Sequence, residues 1–557
     1  MKRYGFAPFP VLVACLWLLM APGCGPGQAP FSTAPEPAAP PPERAAAAPG
    51  EPVDGDWIVQ RLPYEMATLN PLVSSHGALA RNLTRLVYEG LLVRDDETWE
   101  MKPCLAASYE VSEDHLIYTF HLRKDVSFSD GKPFTAQDVK FSFDIIMEPT
   151  SDTLPLRNYL QDVERCEIVD PYTVRFVCKK PYFKTLISLS EDLQILPKHI
   201  FSQGDFNKHP NNRAPIGTGP YVFETWDTNE RVVLVRNETY WGEKPHILKR
   251  LYKIIIDDTA ALQVLMRGEL DVMSLTPDQW VTQAVTPEFE AKFNKLTYYV
   301  PFHGYIGWNM RKPCFGDKRV RQAMTMLLDR KLILETIMHG LGVIVTNSFF
   351  VNSEEYNKDI QPWPFDPARA KALLDEAGWV DSDSDGVRDK DGLPFEFDFL
   401  VPSGSPETEA IITVYKEQTD KAGLKLNIRL QEWATFVETV QKFKFDAMIM
   451  AWQLDPEQDP YQIWHSSQAE GGSNYPGLKN AEVDRLLEEA RVEFEQPKRV
   501  EMYRRLSEII HEEQPYTFLF CTQVRAAMDK RFENVKVYRL GMDAREWWVP
   551  LDKQRYQ

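Results

Sequence analysis

Residues 451–467 read AWQLDPEQDPYQIWHSS, and they hold the side chains best suited to binding chemistry. An apolar strand ends at Trp452 and opens into a loop carrying Asp455 and Asp459. A carboxylate there suits a cleft, because α/β sheets bind ligands beyond their strand ends. Enclosing a cation costs several kcal/mol unless a counter-charge meets it, and Asp455 or Asp459 would supply one. Catalytic constellations are missing by comparison. There is no Gly-x-Ser-x-Gly elbow, no Walker loop and no His-Glu-x-x-His; HEEQP at 511–515 lacks the second His. The expected chemistry is capture without turnover, so no enzyme is expected.

A second acidic run, DSDSDGVRDKDG (381–392), resembles an EF-hand calcium loop. Asp381, Asp383, Asp385 and Asp389 stand at ligand spacings, and Gly386 at the sharp turn. Gly392 replaces the usual bidentate Glu, and the segment also joins a helix end to a strand, where Asp–Gly turns are common. A structural calcium is the one cofactor expected, if any. Cys166 and Cys178 flank an expected hairpin turning at Asp170–Pro171; they are read as either a cross-strand disulfide or two buried thiols. No CxxC pair occurs.

The elements that position these groups need a large body. The chain has 557 residues, 43% apolar and 26% charged, which exceeds what one compact core usually serves. A formal charge of −18 argues against a nucleic-acid partner. The start carries Lys2 and Arg3, then an apolar stretch from Phe6 to Met20, as in an export signal. Ala21-Pro22-Gly23-Cys24 follows and resembles a bacterial lipoprotein cleavage site, with Cys24 the lipidated residue; Cys15 is the weaker candidate. Residues 25–55 are rich in Pro, Ala and Gly and read as a disordered tether.

Beyond the tether, 57–62 alternates as a strand, and Ala78 to Val93 reads as a helix. Tyr118, Phe120 and Leu122 alternate with polar residues; a turn at Asp130–Gly131 and a capping box at Thr135 and Asp138 then open a helix. Asp258 is expected to cap a helix ending at Gly268, and Asp317 through Met338 to form one helix. Asp366-Pro367 begins another that Gly378 stops. YTFLFCTQVRAAM (516–528) reads as one late strand and VKVYRL (535–540) as a last one. Strand–helix–strand alternation implies parallel sheets covered by helices.

Residues 105–144, with PIGTGPY, RNETYWGEKP, GELDV, WNM, GDKRVRQAM, FDPARAKALLDEAGW and NAEVDRLLEEAR, resemble the extracytoplasmic solute-binding proteins of the peptide and nickel type. The resemblance covers 57–557. It implies an α/β, type II periplasmic-binding-protein fold: two lobes with a hinge, and an extra domain inserted in the first. The expected division is a lipoprotein signal peptide at 1–24, a tether at 25–55, lobe I at 56–95, inserted domain II at 96–213, lobe I again at 214–300, lobe III at 301–530, and lobe I at 531–557.

The resemblance also implies a role and a site. The role is a lipid-anchored receptor in the bacterial cell envelope, a monomer that binds oligopeptides and delivers them to the permease of an ABC importer. Nickel chelates or oligosaccharides are alternative ligands, and a peptide sensor or chaperone an alternative role. In peptide-binding relatives a Trp-x-x-Asp pattern meets the ligand's α-ammonium, and Asp455 matches it. The cleft would be lined by Trp452, Trp433, Asn309, Ser473 and Asn474, with Trp308, Trp464, Asn70 and Ser74 as further candidates.

Overall fold

The alternation at 57–62 forms the strand Trp57–Leu62, which lies inside the largest sheet. The computed structural model describes residues 50–73 and 78–556; Cys15, Cys24, most of the tether and Ser74 lie outside them. Trp57–Leu62 runs parallel to Lys249–Ile254 on one side and to Val272–Ser274 on the other. The hairpin Tyr221–Asp227 and Arg231–Arg236 extends one edge, and Phe520–Asp529 and Phe293–Tyr299 extend the other. A second sheet has the order Lys425–Gln431, Glu396–Pro402, Ala447–Gln453, Phe302–Trp308, Tyr516–Phe518. Both sheets are mixed, not parallel as expected. Strands joined by a link as short as 228–230 must run antiparallel, because a parallel return needs a crossover of a dozen residues or more.

A third sheet is antiparallel, in the order Ala106–Val111, Ile117–Leu122, Thr173–Cys178, Val163–Asp170. The helix Ala136–Met147 packs on it and opens with the expected capping box. Thr135 Oγ1 accepts from Gln137 N at 3.3 Å, and Asp138 Oδ2 accepts from Thr135 N at 2.9 Å. Cys166 and Cys178 do not form a disulfide; both are buried free thiols. Register irregularities between Val163 and Arg165 and between Ile168 and Asp170 break the near-symmetric spacing. Cys166 therefore faces Phe176, and Cys178 faces Val163.

The helix expected from Ala78 to Val93 stops at Thr84. Beyond it the backbone bonds elsewhere: Leu86 O accepts from Tyr221 N at 3.0 Å, and Val87 O from Gly219 N at 2.9 Å. The glycines of PIGTGPY allow that approach. A Cβ on Gly217 would sit 1.9 Å from Val87 O. The expected helix over 317–338 is two, Lys318–Met326 and Arg330–Thr336, because Asp329 starts a fresh one by accepting from Leu332 N at 2.9 Å. Asp257, one residue before the expected Asp258, caps the helix Asp258–Met266. Residues 535–540 form no strand, only a bridge between Tyr538 and Gly541. Among the described residues no helix is long and apolar enough to cross a membrane.

The chain passes between the two large sheets at Val300–Pro301 and again at Leu519. The expected single strand over 516–528 is thus split, and its longer part, Phe520–Asp529, pairs in the first sheet. The crossings lie side by side: Leu519 N donates to Gly304 O at 2.9 Å, and Leu454 N to Pro301 O at 2.9 Å. Short adjacent crossings of this kind can absorb a hinge rotation.

A buried ion network ties the end of the chain to the first sheet. Arg531 is 3% exposed and reaches Asp271 Oδ2 at 2.7 Å and Asp56 on its other side. Arg555 pairs with Asp529 at 2.5 Å. Removing Arg531 would leave two carboxylates buried beside each other. Arg531→Met should lower unfolding stability by about 3–5 kcal/mol in urea melts; a loss under about 1 kcal/mol would mean that the network does not hold this lobe together.

Candidate functional site

Asp455 follows the strand Ala447–Gln453 and keeps 41% of its side chain accessible. Its Oδ2 accepts from the Lys184 ammonium at 2.7 Å. Lys184 is only 2% exposed and comes from the third-sheet body, after the strand Thr173–Cys178. Its Nζ also lies 4.8 Å from the centroid of the Tyr159 ring. The Oδ1 atom of Asp455 accepts no hydrogen bond among the described residues. One oxygen is fixed by Lys184, and the side chain stays partly accessible.

Charges from three bodies converge here. A π-helical turn, Ser188–Asp192, carries Glu191 and Asp192, and such wide turns often mark functional sites. Glu191 is clamped by Arg85 at 2.9 Å and Arg94 at 3.1 Å. Burial works against the charge of Asp455, but Lys184, then Arg81 and Arg85, outweigh it and hold the carboxyl below the usual carboxylate range. Burial likewise disfavours the Lys184 ammonium, and Asp455 more than restores it, so it stays charged. Asp192 goes the other way: burial, then the charge of Asp455, push it up to about 6 against Lys184.

Trp452 forms an aromatic wall beside this cluster. Its ring stacks on Tyr305 (6.0 Å, 10°) and Tyr475 (5.9 Å, 2°), and its Nε1 donates to Tyr516 Oη at 3.2 Å. The third-sheet body meets the second lobe close by. Tyr182 Oη donates to Asp459 Oδ2 at 2.8 Å, and Arg491 pairs with that same oxygen at 3.0 Å. Phe183 N donates to Arg491 O at 2.9 Å. Asp459, the rival anchor, is therefore already engaged and only 8% exposed.

Several expected wall residues are engaged within the protein. Asn309 is buried; its amide donates to Phe445 O at 2.8 Å, and its oxygen accepts from Arg311. Asn474 is buried and staples its own loop through Leu478 O, Gly477 N and Leu478 N. Asn70 donates to Asn212 Oδ1 at 2.9 Å from a fully buried position. Trp308 and Trp464 are core, with indole N–H groups bonded to Thr517 and Ser348. Trp433 is 54% exposed and stacks on Phe436. Ser473 is half-buried, and its carbonyl accepts from Tyr475 N. Sequence reasoning missed Lys184, Glu191, Asp192, Arg81, Arg85 and Tyr159. The available signal was a lysine interrupting the apolar run PYFKTLISL.

In the 381–392 loop, carboxylate oxygens of Asp381, Asp383 and Asp385 lie within 4.8 Å of one another, all three residues exposed. Asp389 is turned away and accepts from Ser382 N and Oγ at 2.8 and 2.7 Å. A calcium ion would take only three side chains here, short of the six to eight oxygens it prefers.

The profile described as "Bacterial extracellular solute-binding proteins, family 5 Middle" matches residues 100–474. The chain belongs to this family, and its fold is the two-lobed binding-protein fold expected from the sequence. It is 32% identical to the oligopeptide-binding protein AppA of Bacillus subtilis (strain 168), over 90% of this chain and 93% of that one. The structure of Bacillus subtilis AppA in complex with a nonapeptide matches at a TM-score of 0.80 and 30% identity, covering 90% of this chain and 100% of that one. NikZ of Campylobacter jejuni in complex with Ni(L-His) matches at 0.77 and 26%, covering 88% and 99%.

The raised carboxyl of Asp192 makes a pH prediction. As pH climbs from about 4 to about 6, the unfolded chain gives up this proton first, so folded-state stability falls over that window. Asp192→Asn removes the effect. The variant should match the native chain near pH 4 and exceed it by on the order of 1–2 kcal/mol above pH 6 in urea melts. A constant difference at all pH values would contradict the assignment.

Proposed function

We propose that this protein is the receptor of an ATP-driven importer and captures oligopeptides between its two lobes. The observation that carries the reading is the half-satisfied carboxylate of Asp455. Lys184 fixes one oxygen and so orients the group, while the open oxygen faces accessible space and would take the peptide's α-ammonium. Charge-assisted hydrogen bonds of this type are short and strong. The aromatic wall at Trp452 offers a flat apolar surface for the first side chains. Main-chain hydrogen bonds, in the manner of an added strand, would hold the rest with little demand on side-chain identity.

Closure follows from geometry. A guest touching Asp455 on one body and Arg81 or Arg85 on another gains contacts only when the bodies are together, which shifts the population toward the closed form. The crossings at Val300–Pro301 and Leu519 are the natural hinge. The closed form would dock on the permease and release the peptide unaltered. The relatives support this reading: AppA is an oligopeptide-binding protein. Lipidation at Cys24, with 25–55 as tether and the outer face of a bacterial membrane as location, belongs to the same proposal. So does the division into lobe I, domain II and lobe III.

The reading is tested by a free and an N-acetylated copy of one peptide, chosen from those that co-purify in native mass spectra. Asp455→Ala should weaken the free peptide by on the order of 2–5 kcal/mol in calorimetry. The acetylated peptide should bind the native chain and the variant alike. Equal affinity of the variant for the free peptide would remove Asp455 from the site.

A further inference from the structure

Tyr182, Phe183 and Lys184 form a tongue that leaves the third-sheet body and ends against the second lobe, where each has a partner. Lys184 meets Asp455, Tyr182 Oη donates to Asp459 Oδ2 at 2.8 Å, and Phe183 N donates to Arg491 O at 2.9 Å. Both rings also carry a cation. The Arg491 guanidinium lies 4.5 Å from the Tyr182 ring and 4.5 Å from that of Tyr461, and Arg499 lies 4.1 Å from the Phe183 ring. Such cation–ring contacts strengthen when water is excluded, and Arg499 is only 4% exposed.

The receiving side is the corner between two helices. Arg491 ends Ala481–Arg491, and Arg499 lies near the start of Gln496–Glu513. Arg499 is fixed there, pairing with Glu457 at 2.7 Å and donating to Glu493 O at 2.8 Å. A separate strut reaches the same corner. His115, from the turn between Ala106–Val111 and Ile117–Leu122, stacks on Phe494 at 3.6 Å and 11°. Tyr182 and Phe183 are 2% and 8% exposed, yet neither belongs to the hydrophobic core of the third-sheet body. Their partners Asp459, Arg491 and Arg499 all belong to the second lobe, so parting the lobes would strip both rings of those contacts.

We infer that Tyr182 and Phe183, docked on the corner at 491–499, form a clasp that holds the lobes together before any guest arrives. None of these contacts uses a guest atom, so each favours the closed form in the empty protein. Apparent affinity is the intrinsic affinity scaled by the competent fraction, so the clasp sets affinity for every guest by one common factor. Tyr182 and Phe183 are thus positioning residues, acting through the closure equilibrium, whereas Lys184 also orients Asp455. The inference rests on the lobe closure of the proposed function, not on Asp455 as the anchor of an ammonium.

Small-angle X-ray scattering of the purified full chain, without and with the co-purifying peptide, reads the clasp directly. The native chain should contract little on adding peptide, because it is already held shut. Phe183→Ala should have a larger radius of gyration without peptide and contract to the native value with it. Tyr182→Phe, which keeps the ring and removes only the bond to Asp459, should do the same to a smaller extent. In calorimetry Phe183→Ala should weaken the free and the N-acetylated peptide alike, by about tenfold or more, and Tyr182→Phe by about threefold to tenfold. Asp455→Ala instead weakens only the free peptide, so failure of the clasp and failure of the anchor are told apart. Variants that scatter like the native chain without peptide overturn the inference. So does a loss confined to the free peptide, which would make the tongue a support for Asp455 alone. If Phe183→Ala fails to fold, Tyr182→Phe and Phe494→Ala, on the far side of the contact, decide the matter.

Discussion

A lysine ammonium almost wholly removed from water must meet a negative charge, and in this protein that charge is carried by a different body of the fold. Lys184 and Asp455 are 271 residues apart in sequence and 2.7 Å apart in space. The pair couples the third-sheet body to the second lobe. Its neighbours extend the coupling: Tyr182 and Arg491 engage Asp459, and Arg85 and Arg94 clamp Glu191. The result is a charged centre where three bodies converge, with the Asp455 side chain still partly accessible. On the proposed reading, one carboxylate serves both guest binding and lobe contact.

The electrostatics at this centre divide the acids by task. Asp455 stays ionised because cations outnumber the anions around it, which suits recognition of an ammonium. Asp192, a short distance along the π-helical turn, has its carboxyl raised by burial and by Asp455 itself. Two acids near one another cannot both ionise cheaply, and the one bonded to Lys184 keeps the charge. The centre therefore keeps Asp455 ionised to lower pH than Asp192.

What was legible in the sequence had local causes. The capping box at Thr135 and Asp138, the Asp366-Pro367 start and the Gly378 stop each depend on residues a few positions apart, and all three appear in the structure. Errors arose where distant backbone competed. The helix after Ala78 ends early because Leu86 and Val87 bond to Tyr221 and Gly219. The late strand splits at Leu519 because its halves belong to different sheets. The site was half legible for the same reason. Asp455 stands in a segment whose wording resembles a family motif, whereas Lys184 gains meaning only from a partner in another body. Asn309, Asn474 and Asn70 read as free polar groups in one dimension, yet each is saturated by backbone or side chains that the fold brings to it.

The most direct test of the account is a crystal structure of the chain with a bound peptide bearing a free N-terminus. The account predicts the peptide's ammonium within hydrogen-bond distance of Asp455 Oδ1, with Lys184 still on Oδ2 and the chain between the two lobes. A peptide seated elsewhere, or one whose ammonium finds a different carboxylate while Asp455 keeps only Lys184, would contradict it.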